Sequence, residues 1–298
     1  MAVTTSGWRI AAVGLSTADA GRLAAFYEAA LGFRAAGPAL TGAAVAHLTG
    51  QDGAGGEVLR LRLGAQAIEL WAADPPGRPY PANSRSCDLW FQHMAIVTAD
   101  MRAAYAHLLS QPGWTPISTD GPQRLPERSG GVTAFKFRDP EGHPLELLEF
   151  PPGQRPPAWQ AAPGGPCLGI DHSAIAVADS AASIAFYAGL GFAPAGGSDN
   201  EGPEQARLDG LPDARLRVTA LRPAAAPPHL ELLGYAAALQ PRPRPAGLRE
   251  ADLAATRLRL IPVAAPDGAG GTRLLHDPDG HGLVLDGRPL ADGPDFPV

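Results

Sequence analysis

Two histidines and two glutamates stand out in this chain by their positions. His93 (in QHMAIVTAD) and His172 (in DHSAIAVAD) each lie seven residues before an aspartate, Asp100 and Asp179, that opens a helical pattern. Glu146 sits between Leu145 and Leu147, and Glu231 between Leu230 and Leu232. A carboxylate in so apolar a strand is costly to bury unless it is paired or coordinates a metal. Two imidazoles and two carboxylates, if they converge, suit a borderline divalent ion such as Zn, Ni, Co, Mn or Fe. An octahedral ion held in this way would keep two open positions, enough to chelate adjacent oxygens of a substrate. It would polarise a carbonyl while a carboxylate moves the neighbouring proton. Each residue alone has a plainer reading: a lone strand histidine is more often a satisfied core or surface group, and a mid-strand glutamate can face solvent on an open sheet.

Period-two alternation puts Ala95 and Val97 on the face of His93, with Met94 and Ile96 opposite. In the same way Ala174 and Ala176 share the face of His172, against Ile175 and Val177. Both histidines therefore have small neighbours and a hollow in front of them. His229, two residues before Glu231, shares that glutamate's face at the strand's entrance. His143 and His281 fall in D-P-x-G-H turns and read as turn residues. Tyr27 and Tyr187 lie at helix-core spacing and are expected to pack. Arg124 and Arg128 lie in a polar loop, residues 118–131, that could close over an anionic substrate.

The elements that must position these residues recur. GRLAAFYEAALGF (Gly21–Phe33) and ASIAFYAGLGF (Ala182–Phe192) match about 160 residues apart, and RDPEGHPLEL (Arg138–Leu147) also matches HDPDGHGLVL (His276–Leu285). Four strand–helix–strands units follow. Unit one has a strand at Ile10–Leu15, a helix after Asp19 and strands at Ala44–Leu48, Val58–Leu63 and Ala67–Ala72. Unit two has Phe91–Val97, a helix at Met101–Leu109, then Val132–Phe137 and Leu145–Phe150. Unit three has Ile170–Val177, a helix through Ile184 to Leu190, then Arg215–Ala220 and His229–Leu233. Unit four is eroded, helical in pattern over Leu248–Leu260 with a last strand at Leu283–Leu285. The architecture is α+β, and each unit alone would leave a sheet face bare, so units must pair.

At 298 residues the chain suits two domains, and 45% apolar residues allow each a full core. Net charge is −6 with no basic run, which argues against a nucleic-acid partner. Cys87 and Cys167 show no metal-ligand spacing and fit a reducing compartment. Neither a signal-peptide pattern nor a membrane-length apolar run is present, so the expectation is a cytoplasmic protein without a membrane partner. Pro151–Pro166 is aperiodic and rich in Pro and Gly, as a linker is.

On QHMAIVTAD, DHSAIAVADSAASIAFY and DPEGHPLE, the chain resembles the vicinal oxygen chelate superfamily of glyoxalase I, extradiol dioxygenases and bleomycin-resistance proteins. The resemblance runs from about residue 8 to 287. It implies four βαβββ modules in two tandem glyoxalase-like domains, with mixed sheets curled into metal-binding cups. The first domain would be residues 1–152, the linker 153–166 and the second domain 167–298. In that family each unit can offer one ligand on its first strand and one on its last. Single-chain glyoxalases of four units form one site between units two and three and another between one and four. Carried over, this gives a divalent-metal site of His93, Glu146, His172 and Glu231. The second site is vestigial, at Ala12, Glu69, Pro245 and Val284. Pairing one with two and three with four would instead leave two damaged sites, Glu69/His93/Glu146 and His172/Glu231.

The resemblance implies a metal-dependent lyase or isomerase acting on a small molecule, with Glu146 or Glu231 as base. The alternatives are an Fe(II) extradiol-type dioxygenase, disfavoured because Val284 stands where such enzymes place a ligand, and a metal-free drug-binding protein. Units two and three could meet within a monomer or across a homodimer.

Overall fold

The opening strands of the four units find one another in pairs, and everything else hangs from those pairs. The computed structural model describes residues 7–160, 165–264 and 271–287; residues 161–164 of the expected linker, 1–6, 265–270 and 288–298 lie outside the described residues. Unit one comprises β1 (Trp8–Thr17), α1 (Ala20–Leu31), β2 (Arg34–Ala35), β3 (Leu40–Thr41), α2 (Ala43–Thr49), β4 (Gly55–Leu63) and β5 (Gln66–Asp74). Unit two comprises β6 (Gln92–Thr98), α3 (Met101–Leu109), β7 (Thr115–Pro116), β8 (Gln123–Arg124), β9 (Thr133–Arg138) and β10 (Pro144–Glu149). Unit three comprises β11 (Cys167–Ala176), α4 (Ser180–Gly189), β12 (Ala193–Glu201), α5 (Pro203–Asp209), β13 (Arg215–Arg222) and β14 (His229–Tyr235). The described part of unit four holds β15 (Arg257–Pro262), β16 (Thr272–His276) and β17 (Gly282–Asp286).

Units one and four share an eight-stranded sheet in which β1 and β15 run antiparallel at the centre. Units two and three share a nine-stranded sheet centred on antiparallel β6 and β11. Each opening strand also runs parallel to the closing strand of its own unit: β1 to β5, β6 to β10, β11 to β14 and β15 to β17. Both sheets are open and mixed, and the pairing of units two and three occurs within one chain.

Local chemistry explains why the helices start where they do. Asp19, Asp100 and Asp179 are extended N-caps whose side chains accept from the backbone N–H of Arg22, Ala103 and both Ala181 and Ala182. The repeated aspartate is thus a cap that fixes where each strand ends and each helix begins. One core takes the Val13/Leu15, Met94/Ile96, Ile175/Val177 and Leu258/Leu260 sides of the sheets together with the apolar sides of α1, α3 and α4. The opposite faces of the central strands are left for the cups.

Two sequence expectations are corrected. Ala44–Leu48 forms α2, not a strand; the short apolar run is bounded by Gly42 and by Gly50 in the left-handed region, φ 65°. Length and alternation cannot separate a buried strand from a short buried helix in such a run. Leu248–Leu260 forms no described helix; it is turns followed by β15, whose pairing with β1 and β17 overrides the helical spacing of its leucines.

The D-P-x-G-H histidines do more than make turns. His143 Nε2 donates to the Ser16 carbonyl (2.9 Å) and Nδ1 to Asp139 Oδ2 (2.8 Å), which also accepts from Tyr27 Oη (3.1 Å). His281 Nε2 donates to the Ala176 carbonyl (3.0 Å), and Tyr187 Oη donates to Asp277 (3.1 Å). These buried latches join unit two to unit one and unit four to unit three. The sheets make the other two joints, so the four units form a closed ring of contacts.

Each ring nitrogen of His143 faces an oxygen, an arrangement that suits the doubly protonated ring. Burial pulls its pKa down, but the Asp139 carboxylate outweighs burial and the pKa ends raised. A raised folded-state value contributes stability that is complete below the unfolded pKa of about 6.5 and fades as pH rises through the folded value. His143→Ala is therefore expected to cost about 3 kcal/mol near pH 5.5, by leaving the buried Asp139 carboxylate without its cationic partner. Urea unfolding across pH should show the difference from wild type shrinking on the alkaline side. A difference that grew with pH would sink this account.

Candidate metal centre

The register of the central strands decides which side chains meet. His93 on β6 stands opposite Ala174 on β11, and His172 stands opposite Ala95. Glu146 on β10 lies beside Ala95, and Glu231 on β14 beside Ala174. Four polar side chains thus surround a floor of two alanines. All four line a cavity of about 360 Å³, together with apolar walls that include Leu125, Leu148, Phe150, Leu208 and Leu216.

The donor atoms of His93, Glu146 and His172 all lie within 4.8 Å of one another. Ligands about 2.1 Å from an ion lie about 3 Å apart when adjacent and at most about 4.2 Å when opposite, so the three atoms are near the spacing of a coordination set and would close further on an ion. Glu231 lies outside that set and approaches it through His172, its Oε2 3.5 Å from Nε2. His93 Nε2 is 3.2 Å from Glu146 Oε2, yet off the line of a hydrogen bond, and both ring nitrogens are buried without a hydrogen-bond partner. A buried imidazole left in that state is costly, and an ion on its open nitrogen would relieve it. On this ground the residues present fit a divalent ion.

The electrostatics follow from burial and these contacts. Burial and the nearby Lys136 ammonium push the His93 pKa down, which favours the neutral form that binds metals. Burial alone would raise Glu146, but His93 and Lys136 hold it below the usual carboxylate range. His172 is raised to about 9, with burial opposed chiefly by Glu231, and Glu231 is lowered to about 2, with burial opposed chiefly by His172. His229, half-exposed at the entrance, stands 3.5 Å from Glu231.

Three polar residues of the cup escaped the sequence reading. Lys136 on β9 is opposite Glu146 in register, with Nζ 3.7 Å from Oε2 and 2.6 Å from Asp209 Oδ1. Burial would lower its pKa, but Asp209 raises it, so the ammonium persists. The signal was a lysine between Phe135 and Phe137, as anomalous as Glu146 in its own strand. Asp209 comes from α5, a short helix that no periodicity announced; Gln205 donates to it and accepts in turn from Asn200. Asp171 is the third: it should face away from its neighbour His172, but the register shifts between Ile170 and His172, and the bulge turns both into the cup.

The other sheet repeats the backbone without the chemistry. Ala12 and Glu69 occupy the positions of His93 and Glu146, and Val284 that of Glu231. The fourth position is Arg257, opposite Gly14 as His172 is opposite Ala95; Pro245 lies outside the strand altogether. The helical reading of Leu248–Leu260 had misplaced that strand. Arg259 grips Glu69 with Nε and Nη2 (3.0 and 2.8 Å), while Arg257 lies over Trp71 and donates to Ser16 Oγ and the Glu250 carbonyl. These side chains leave about 10 Å³ of cavity.

Residues 9–147 match the family model described as Glyoxalase/Bleomycin resistance protein/Dioxygenase superfamily. Glyoxalase I from Zea mays is similar in structure, with a TM-score of 0.59 at 16% identity, covering 93% of this chain and 92% of that one. A putative dioxygenase from Bacillus subtilis gives 0.53 at 15% identity, covering 92% and 83%. At these identities the likeness establishes the fold alone. No curated protein matches the chain in sequence. Residues 9–147 thus carry the sequence pattern of the Glyoxalase/Bleomycin resistance protein/Dioxygenase superfamily, and the fold of that family continues through the rest of the described chain.

Proposed function

We propose that the chain is a metal-dependent lyase or isomerase of glyoxalase type, with one working cup built from units two and three. The observation that carries this reading is the contrast between the cups. His93, Glu146, His172 and Glu231 face an open cavity of about 360 Å³, whereas the equivalent positions of the other sheet are sealed by arginines. A divalent ion bound by the quartet would polarise a carbonyl oxygen and draw adjacent oxygens of a small substrate to one point.

The chain's own residues divide the remaining work. Glu146 is flanked by His93 and Lys136 and is nearly fully buried, which suits a fixed ligand. Glu231, with 22% of its side chain exposed, is the carboxylate with room to move a proton next to the carbonyl. The apolar walls, Leu125, Leu148, Phe150, Leu208 and Leu216 among them, would receive the rest of the substrate. Lys136 puts a fixed positive charge beside the site, where an oxygen gaining negative charge would be stabilised.

Elemental analysis of the purified protein is expected to give about one transition metal per chain, lost in both His93→Ala and His172→Ala. Iron would move the assignment to a ring-cleaving dioxygenase. No metal, even after reconstitution with Ni, Co, Zn, Mn and Fe, would leave a binding protein. For the proton step, Glu231→Gln should slow solvent deuterium exchange at the carbon next to the carbonyl by about 10²–10⁴-fold, read by NMR over a panel of α-hydroxycarbonyl compounds. Unchanged exchange in that variant would remove Glu231 as the base.

A further inference from the structure

The two histidines of the cup are held in different ways. Gln92, the residue before His93, donates to Ser173 Oγ and leaves the imidazole unpartnered. Asp171, the residue before His172, places Oδ2 3.0 Å from His172 Nδ1. Its other oxygen, Oδ1, accepts from the Trp159 indole N–H at 3.1 Å. The His229 ring stands 3.7 Å from Oδ2, beyond hydrogen-bond reach, and so does not compete.

Trp159 belongs to the segment that joins the two halves of the chain, in a short 3₁₀ turn over Pro157–Trp159. It is 3% exposed and packs on Val97 and Leu168. Gly169 makes the room: a Cβ there would collide with the indole ring and with Gln66 Oε1, which accepts from the Ile170 N–H. The segment is therefore docked by packing and tied by one directed hydrogen bond to the cup.

We propose that Asp171, tethered by Trp159, is a positioning residue for the ligand His172, so that the joining segment supports the metal centre from outside it. The proposal rests on the metal reading above. A carboxylate that accepts from one ring nitrogen keeps a proton there, aims the other nitrogen, 3.5 Å from Glu231 Oε2, into the cup, and makes it a stronger donor once an ion displaces its proton. Asp171 can do this from the adjacent position only because the bulge puts it on the same face. Trp159 holds the carboxylate in turn, since its indole can donate and never accept. His172 is the preset ligand, and His93 is the one that settles onto the ion.

The test is a competition titration of the full chain with Zn(II) and Co(II). Asp171→Asn is expected to weaken binding about 10–100-fold, and Trp159→Phe, which keeps the packing, about threefold or more in the same direction. The Zn-loaded wild type should show a downfield proton on His172 Nδ1 that Asp171→Asn abolishes or moves; a merely structural role for Asp171 would not touch it. If Asp171→Asn fails to fold, Trp159→Phe carries the test. Wild-type affinity in both variants with an unmoved Nδ1 proton would overturn this proposal and leave the metal reading intact. A wild type that binds neither ion would overturn both.

Discussion

The antiparallel pairing of β6 with β11 is the contact on which the rest of this structure depends. It brings together strands that lie on either side of the joining segment, and it sets the register in which His93 and His172 each face an alanine. A slip of one residue would turn both imidazoles into the apolar core and leave the cup without ligands. The register is held from behind: Met94, Ile96, Ile175 and Val177 must all point at the core that α1, α3 and α4 complete. The hydrophobic effect thus places the polar residues by placing their neighbours.

The two cups show what side chains alone can do to one backbone. Where unit three carries His172 opposite Ala95, unit four carries Arg257 opposite Gly14, and the arginine's bulk fills the space the glycine vacates. Glu69 would be a buried carboxylate without a partner, and Arg259 supplies one with two nitrogens. That ion pair is a strut: Arg259 Nε donates to both carboxylate oxygens, and breaking a buried pair costs more than making one contributes. The open cup has the opposite balance. Both ring nitrogens of His93 are buried there without a hydrogen-bond partner, the kind of group a bound ligand would satisfy.

Charge around the open cup is managed across units. The Lys136 ammonium, set among buried groups of unit two, is neutralised by Asp209 of unit three, and Gln205 and Asn200 extend the chain of contacts outward. The cup is thereby cross-linked by polar contacts at its wall as well as by the strand pair at its floor. The His143 and His281 latches close the remaining two joints. Local repeats have become a ring in which each unit is held by two neighbours through different physics.

Much was legible in the order of residues, because caps, alternation and turns are local. Asp100 and Asp179 mark helix starts that the structure reproduces, and the small/large alternation around His93 and His172 tells core face from cup face. The alternating strands also showed that Glu146 and Glu231 were out of place among leucines. What local pattern could not supply was register and bulge. Leu248–Leu260 looked helical because a two-residue and a three-to-four-residue period overlap in so short a run, and only pairing with β1 showed a strand and replaced Pro245 by Arg257. Asp171 escapes notice in the sequence because a bulge is a property of two strands, not one. The sequence by itself determined four units and which of them carry polar residues; the tertiary structure decided which units meet, since that depends on hydrogen bonds between strands distant along the chain.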